Sequence, residues 1–156
     1  MIRFGAPIAA LVLVLDQLTK WIARDNLWDP PVRVELVGFL DFVPIENRGI
    51  SFGLFQSDSG TGVWLISGFA LIVAAGLGIW LYRVRRKWPA LALGLIIGAA
   101  LGNVIDRLRL GWVIDFIDFH VNTWHWPAFN IADAAITIGV GMLLIDGLFT
   151  TAKKPK

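Results

Sequence analysis

Four long apolar runs, at residues 4–23, 63–82, 88–105 and 131–149, set the pattern of the chain. Each approaches the roughly 20 residues that carry a helix across a hydrocarbon core. The first run is uniformly apolar in its first half and holds Asp16, Gln17, Thr19 and Lys20 in its second. It begins like a secretory signal, with Arg3 ahead of an apolar core, but no small-residue cleavage site intervenes before DQLTKW, so it reads as a retained helix. Asp16 and Lys20 stand four residues apart, share a helix face and can pair. In the third run Gly94, Gly98 and Gly102 recur at four-residue steps, a face that lets another helix approach closely.

Residues 24–62 are too polar to span. Pro30 and Pro31 stop a helix. VRVEL (32–36) alternates apolar and polar side chains as a half-buried strand does. Gly38 can turn the chain into a second strand over 39–45, ending near Pro44. These imply a small sheet on the bilayer within an outer β segment at about residues 30–55. Gly49 and Gly53 in ENRGISFG permit tight turns or close backbone approach, and QSDSGTG (56–62) is a polar linker. The predicted fold is a single membrane-embedded domain over residues 1–156. It is mainly α, with four transmembrane helices, a small extracytoplasmic β-sheet and an interfacial loop or helix.

Composition agrees: 56% of residues are hydrophobic and 17% charged, against about 25% charged in soluble domains, and the mean hydropathy is +0.67. Zero cysteines exclude disulfides, thiol nucleophiles and Cys-ligated metals. The sequence pI of 9.3 does not call for nucleic acid, because the basic residues sit at loop edges and the tail. Arg3, the basic cluster at 83–87 and Lys153, Lys154 and Lys156 make eight basic residues with only Asp146 for company. The other six share the opposite side with eleven acids. The positive-inside rule then places both termini in the cytoplasm and segments 24–62 and 106–130 outside, with Trp112, Trp124 and Trp126 as interface anchors.

The chemistry concentrates in GWVIDFIDFHVNTWHWPAFNIAD (111–133), which holds Asp115, Asp118, Asp133 and both histidines. An acid in a membrane helix costs about 2.5–3.5 kcal/mol at its centre and less near the interface, so a functional role is the default. Two neighbouring aspartates share one proton. The ionised one can deprotonate water while the other polarises a scissile carbonyl, giving amide hydrolysis without a covalent intermediate. Asp133 and either Asp115 or Asp118 can form such a pair; spacing alone does not choose. Asn130 can also cap the fourth helix with Asp133 at its third position, which makes Asp133 the member expected to hold the charge. His120 and His125 are five apart, not in HExxH spacing, and read as part of an amphipathic interfacial loop rather than a zinc site. No serine has a recognisable His–Asp set. A proton-coupled transporter would also bury carboxylates, but inverted repeats are absent from the pattern. A membrane assembly protein would need only the glycine faces.

Together DQLTK (16–20), NRGISFG (47–53), GNVIDRLRLGWVIDF (102–116) and FNIAD (129–133) resemble lipoprotein signal peptidase, also called signal peptidase II, over residues 16–139. The resemblance implies a bacterial inner-membrane aspartic endopeptidase, active on the periplasmic side. It would remove the signal peptide from a diacylglyceryl-modified prolipoprotein by cutting before the lipidated cysteine, with membrane lipids around it and no cofactor or metal. It implies that Asp115 and Asp133 are the catalytic acids, which selects Asp115 over Asp118. Asp16, Lys20, Asn47, Gly49, Asn103, Asp106, Arg107 and Asn130 would support the site or bind substrate, and the loop at 47–53 could clamp it.

Overall fold

Helix α1 (Ile2–Leu27) runs 26 residues, about 39 Å at 1.5 Å per residue, longer than a hydrocarbon core of about 30 Å. The computed structural model describes residues 1–49 and 60–151, so residues 50–53 of the expected clamp, most of the 56–62 linker and the C-terminal lysines lie outside the described residues. Three further helices follow: α2 (Gly60–Arg83), α3 (Lys87–Leu110) and α4 (Ile131–Thr151). All four are long and apolar enough to cross a membrane. Exposed Leu, Ile, Phe and Trp side chains line their outer faces, where lipid takes the place of water.

Helix α3 is the central element: α1, α2 and α4 all pack on it. The glycine steps explain the closeness. A Cβ at Gly94 would lie 2.6 Å from the Gly5 carbonyl oxygen of α1, one at Gly98 would strike the Ala9 backbone, and one at Gly102 would strike the Asp16 carboxylate. Gly102 therefore does more than admit a helix: it leaves the space in which an acid sits. Gly111 ends α3 in the left-handed region at φ 84°, its N–H donating to the Arg107 carbonyl at 3.0 Å, a cap that favours glycine.

The small sheet is antiparallel with order β1–β2–β3–β4. It comprises β1 (Val34–Val37), β2 (Leu40–Asn47), β3 (Val113–Val121) and β4 (Trp124–His125). Strand β2 does not stop near Pro44. The register shifts between Phe42 and Ile45, a bulge that accommodates a residue without an N–H, and pairing resumes through Asn47 opposite Val113. The chain entering α4 is stitched to β3: Ile117 N–H donates to the Phe129 carbonyl at 2.9 Å and Phe129 N–H to that of Ile117 at 3.0 Å. Ile114 and Phe116 of β3 pack with Ala23 and Leu27 of α1, seating the sheet on one end of the bundle.

Candidate active site

At the sheet end of the bundle, α1, α3, α4, β2 and β3 converge on one buried polar network. Its base is on α1. The Lys20 ammonium, 1% exposed, lies 2.9 Å from carboxylate oxygens of both Asp16 and Asp106 and donates to Asn103 Oδ1 at 2.7 Å. Asp16, 0% exposed, accepts the Ala132 N–H of α4 at 3.0 Å. Asp106 accepts the Ile114 N–H of β3 at 3.3 Å. One ammonium thus ties together two carboxylates that in turn fix the starts of α4 and β3. Breaking such a buried pair costs about 3–5 kcal/mol, because the remaining charge has no partner.

Above this base sit the two aspartates. Asp133 is in the first turn of α4. Asn130 Oδ1 accepts its N–H at 3.0 Å, and its Oδ2 accepts the Asn130 N–H at 3.3 Å. This is the reciprocal capping arrangement suggested by FNIAD. Its Oδ1 accepts a further bond from Asn103 Nδ2 at 3.1 Å. The orientation of that amide is dictated from below: an ammonium only donates, so Asn103 Oδ1 must face Lys20 and Nδ2 is left for Asp133.

Asp115, on β3, accepts from Asn130 Nδ2 at 2.7 Å and Asn47 Nδ2 at 2.9 Å. Asn130 bridges the site, reaching Asp115 with its amide nitrogen and Asp133 with its oxygen and backbone. Burial pushes the Asp115 carboxyl up to about 7, the charge of Asp133 adds to the rise, and bonds from Asn47 and Asn130 with the charge of Lys20 hold it back. The Asp133 contribution means that the two acids feel one another's charge. Arg107, whose charge acts on both acids, donates to the Gly49 carbonyl at 2.9 Å and the Asn103 carbonyl at 3.4 Å. It anchors the loop after β2 to α3. Asn47 Oδ1 accepts the Gly49 N–H at 3.1 Å.

Asp16, Lys20, Asn47, Gly49, Asn103, Asp106, Arg107, Asn130, Asp115 and Asp133 therefore form one connected cluster. Gln17 also joins it, donating to Asp106 at 2.9 Å and the Gly102 carbonyl at 3.2 Å. Its sequence signal was an amide beside Asp16 in an apolar run. Asp118 lies elsewhere. Three residues along a strand reverse the face, and Asp118 contacts Arg33 at 3.3 Å and His125 at 2.9 Å. His120 and His125 pair across β3 and β4, their rings stacked at 5.0 Å, with His120 3.2 Å from Asp41. This second cluster, completed by the Arg33–Asp41 ion pair, occupies strands where the sequence pattern suggested an interfacial loop.

A cavity of about 360 Å³ opens beside Asp133, walled mainly by Trp126, Pro127, Phe129, Thr137 and Ile138.

The chain matches a family described as Signal peptidase (SPase) II over residues 8–149. A lipoprotein signal peptidase of Methylobacterium radiotolerans is 45% identical, the match covering 100% of this chain and 93% of that protein. One from Vibrio cholerae is 38% identical over 95% of this chain and 88% of that one. A solved bacterial membrane enzyme superposes with a TM-score of 0.80 at 30% identity, covering 100% of this chain and 94% of its own. A second does so with a TM-score of 0.79 at 28% identity.

Proposed function

The chain belongs to the signal peptidase II family, and from that premise we propose that it is an intramembrane aspartic endopeptidase. Its substrate is a prolipoprotein carrying a diacylglyceryl-modified cysteine, and it cuts just before that cysteine. The observation that carries the aspartic reading is the coupled pair Asp115 and Asp133, joined through Asn130 and enclosed by neutral donors.

The two acids have unequal surroundings, which divides their roles. Asp133 receives donors from Asn103, from the Asn130 backbone and from the first turn of a helix, all of which favour the carboxylate. It is the base. Asp115, pushed up to about 7, carries the proton. Asp133 takes a proton from water as the water oxygen bonds to the scissile carbonyl carbon, and Asp115 gives its proton to the carbonyl oxygen. The resulting gem-diol collapses: its hydroxyl returns a proton to Asp115, Asp133 passes its proton to the amide nitrogen, and the C–N bond breaks. Neither acid forms a covalent bond.

The apolar cavity beside Asp133 suits a substrate arriving laterally along α4 with its lipid still in the bilayer. The basic clusters support cytoplasmic termini and a site toward the periplasm of a bacterial inner membrane. The test is cleavage by the purified protein of matched lipidated and unlipidated precursors, with EDTA and a serine-acylating reagent in parallel. Cleavage of the lipidated form alone, insensitive to both reagents, is expected. Equal turnover of the unlipidated form overturns the substrate assignment. Loss of activity in EDTA that zinc restores overturns the mechanism.

A further inference from the structure

Trp21 and Arg24 of α1 line two adjoining cavities at the sheet end of the bundle, and neither cavity contains Asp115 or Asp133. The smaller, about 50 Å³, backs onto Gln17, Lys20 and Asp106 of the polar network and also presents Arg109 at the end of α3. The larger, about 490 Å³, is walled by Trp28 and Trp112 and carries Asp25, Asp29 and Glu46. Its volume falls within the roughly 300–1,000 Å³ usual for small-ligand sites. The indoles of Trp28 and Trp112 stack at 5.8 Å, a firm wall. Glu46 is engaged by Arg48 at 2.9 Å. Arg24, Asp25, Asp29 and Arg109 enter no ion pair among the described residues. Two free cations and two free carboxylates thus face neighbouring hollows at the level where a span leaves the hydrocarbon.

A second observation leads to the same place. Leu11, Val14, Leu15, Leu18 and Ile22 are all exposed and follow one another at three- and four-residue steps on α1. They form a continuous apolar stripe that ends at Trp21, 65% exposed, and Asp25. An acyl chain lying on that stripe delivers its headgroup to the two cavities.

We propose that this end of α1 binds a zwitterionic phospholipid bearing a primary ammonium group. Its phosphate sits between Arg24 and Arg109, where guanidinium groups give charge-assisted bonds. Its ammonium lies among Asp25, Asp29 and the face of Trp21, which supply acceptors and a cation–π surface. Its acyl chains cover Leu11 to Ile22. The site is separate from the cavity beside Asp133 on α4, so a lipid held here leaves that cavity open.

The test offers the purified, delipidated protein equal amounts of phosphatidylethanolamine, phosphatidylglycerol and phosphatidylcholine with matched chains, and counts retained lipid by native mass spectrometry. Phosphatidylethanolamine should be retained about tenfold over the others, the ratio given by one additional charge-assisted contact. Phosphatidylglycerol has no ammonium, and phosphatidylcholine has no N–H to give a carboxylate. Asp25→Asn with Asp29→Asn should remove the preference while keeping phosphatidylglycerol bound. Arg24→Gln with Arg109→Gln should lower retention of all three. Arg83→Gln, at the opposite end of the bundle, should change nothing. Equal retention of the three lipids by the unaltered protein overturns the proposal, whether or not the variants fold. Selectivity that persists in both double variants, or that is lost in Arg83→Gln, overturns it too.

Discussion

Asp115 of β3 and Asp41 of β2 are both 1% exposed, yet they end on opposite sides of the ordinary carboxylate value. For Asp115 burial dominates and the neighbouring charge of Asp133 reinforces it; the neutral amides of Asn47 and Asn130, helped by Lys20, only partly oppose the rise, which reaches about 7. For Asp41 burial again pushes upward, but the bonds and charges of Arg33 and His120 outweigh it and leave the carboxyl below its usual range. Depth of burial therefore does not by itself decide whether a carboxyl holds its proton. The partner does. A cation in direct contact locks the anion, whereas amide donors and a second acid keep a proton within reach at neutral pH.

The largest expected contrast is in catalysis. Asp115→Asn and Asp133→Asn should each lower cleavage of a lipidated precursor by about 10⁴-fold, the upper end of general acid–base contributions. The double variant should be little worse, because the pair acts as a unit. Asp41→Asn and Asp118→Asn should stay within a few-fold of the parent protein. An inactive Asp118→Asn beside an active Asp115→Asn would reverse the assignment of the two clusters.

Stability should separate the clusters next. Lys20→Met leaves Asp16 and Asp106 buried together without a cation and should cost about 3–5 kcal/mol. Arg33→Gln removes a guanidinium that is 47% exposed and leaves His120 3.2 Å from Asp41, so its cost should be the smaller of the two. Thermal unfolding in detergent measures both, and equal losses would erase the distinction between a hub whose cation is buried and a cluster whose cation is half-exposed.

The pH dependence comes third. If Asp115 must carry the proton, kcat/KM should fall as pH rises through about 7, about tenfold per unit beyond it. The folded state also binds this proton more tightly than the unfolded chain, so the group's contribution to stability declines as pH rises toward 7. A flat rate from about pH 6 to about pH 9 would remove Asp115 from the acid role.

The smallest effect sharpens the comparison. Asn47→Ala deletes one donor to ionised Asp115, so the alkaline limb should move up by about one unit, the equivalent of one hydrogen bond to a charged group. His125→Ala, in the other cluster, should leave that limb in place. Movement with His125→Ala would mean that the two clusters are electrically joined.

Much of this architecture was legible in the chain because its signals are local. Twenty-residue apolar runs report spans, four-residue glycine steps report a close helix face, and Asn130 three residues before Asp133 reports a cap. Asn47 was harder. Pro44 reads as the end of a strand, and only the cross-strand register shows that a bulge carries β2 past it to bring Asn47 to Asp115. Likewise, the reading of His120 and His125 as part of an interfacial loop missed β3, because a strand whose first four residues are buried on both faces loses the alternation by which strands are recognised.

What the sequence determined by itself is which residues lie in lipid, where charge is tolerated, and which acids are costly enough to need a purpose; each follows from the solvation of one side chain or one helix. What only the tertiary structure decided is how those acids differ. Asp115 and Asp118 have the same chemistry three residues apart, and the pleat of one strand sends the first to two asparagines and Asp133 and the second to Arg33 and His125. The amide of Asn103 faces Asp133 because Lys20, 83 residues away in the chain, leaves it no other orientation. A carboxyl's protonation depends on partners brought from distant segments, and those partners exist only once α1, α3, α4 and the sheet have packed.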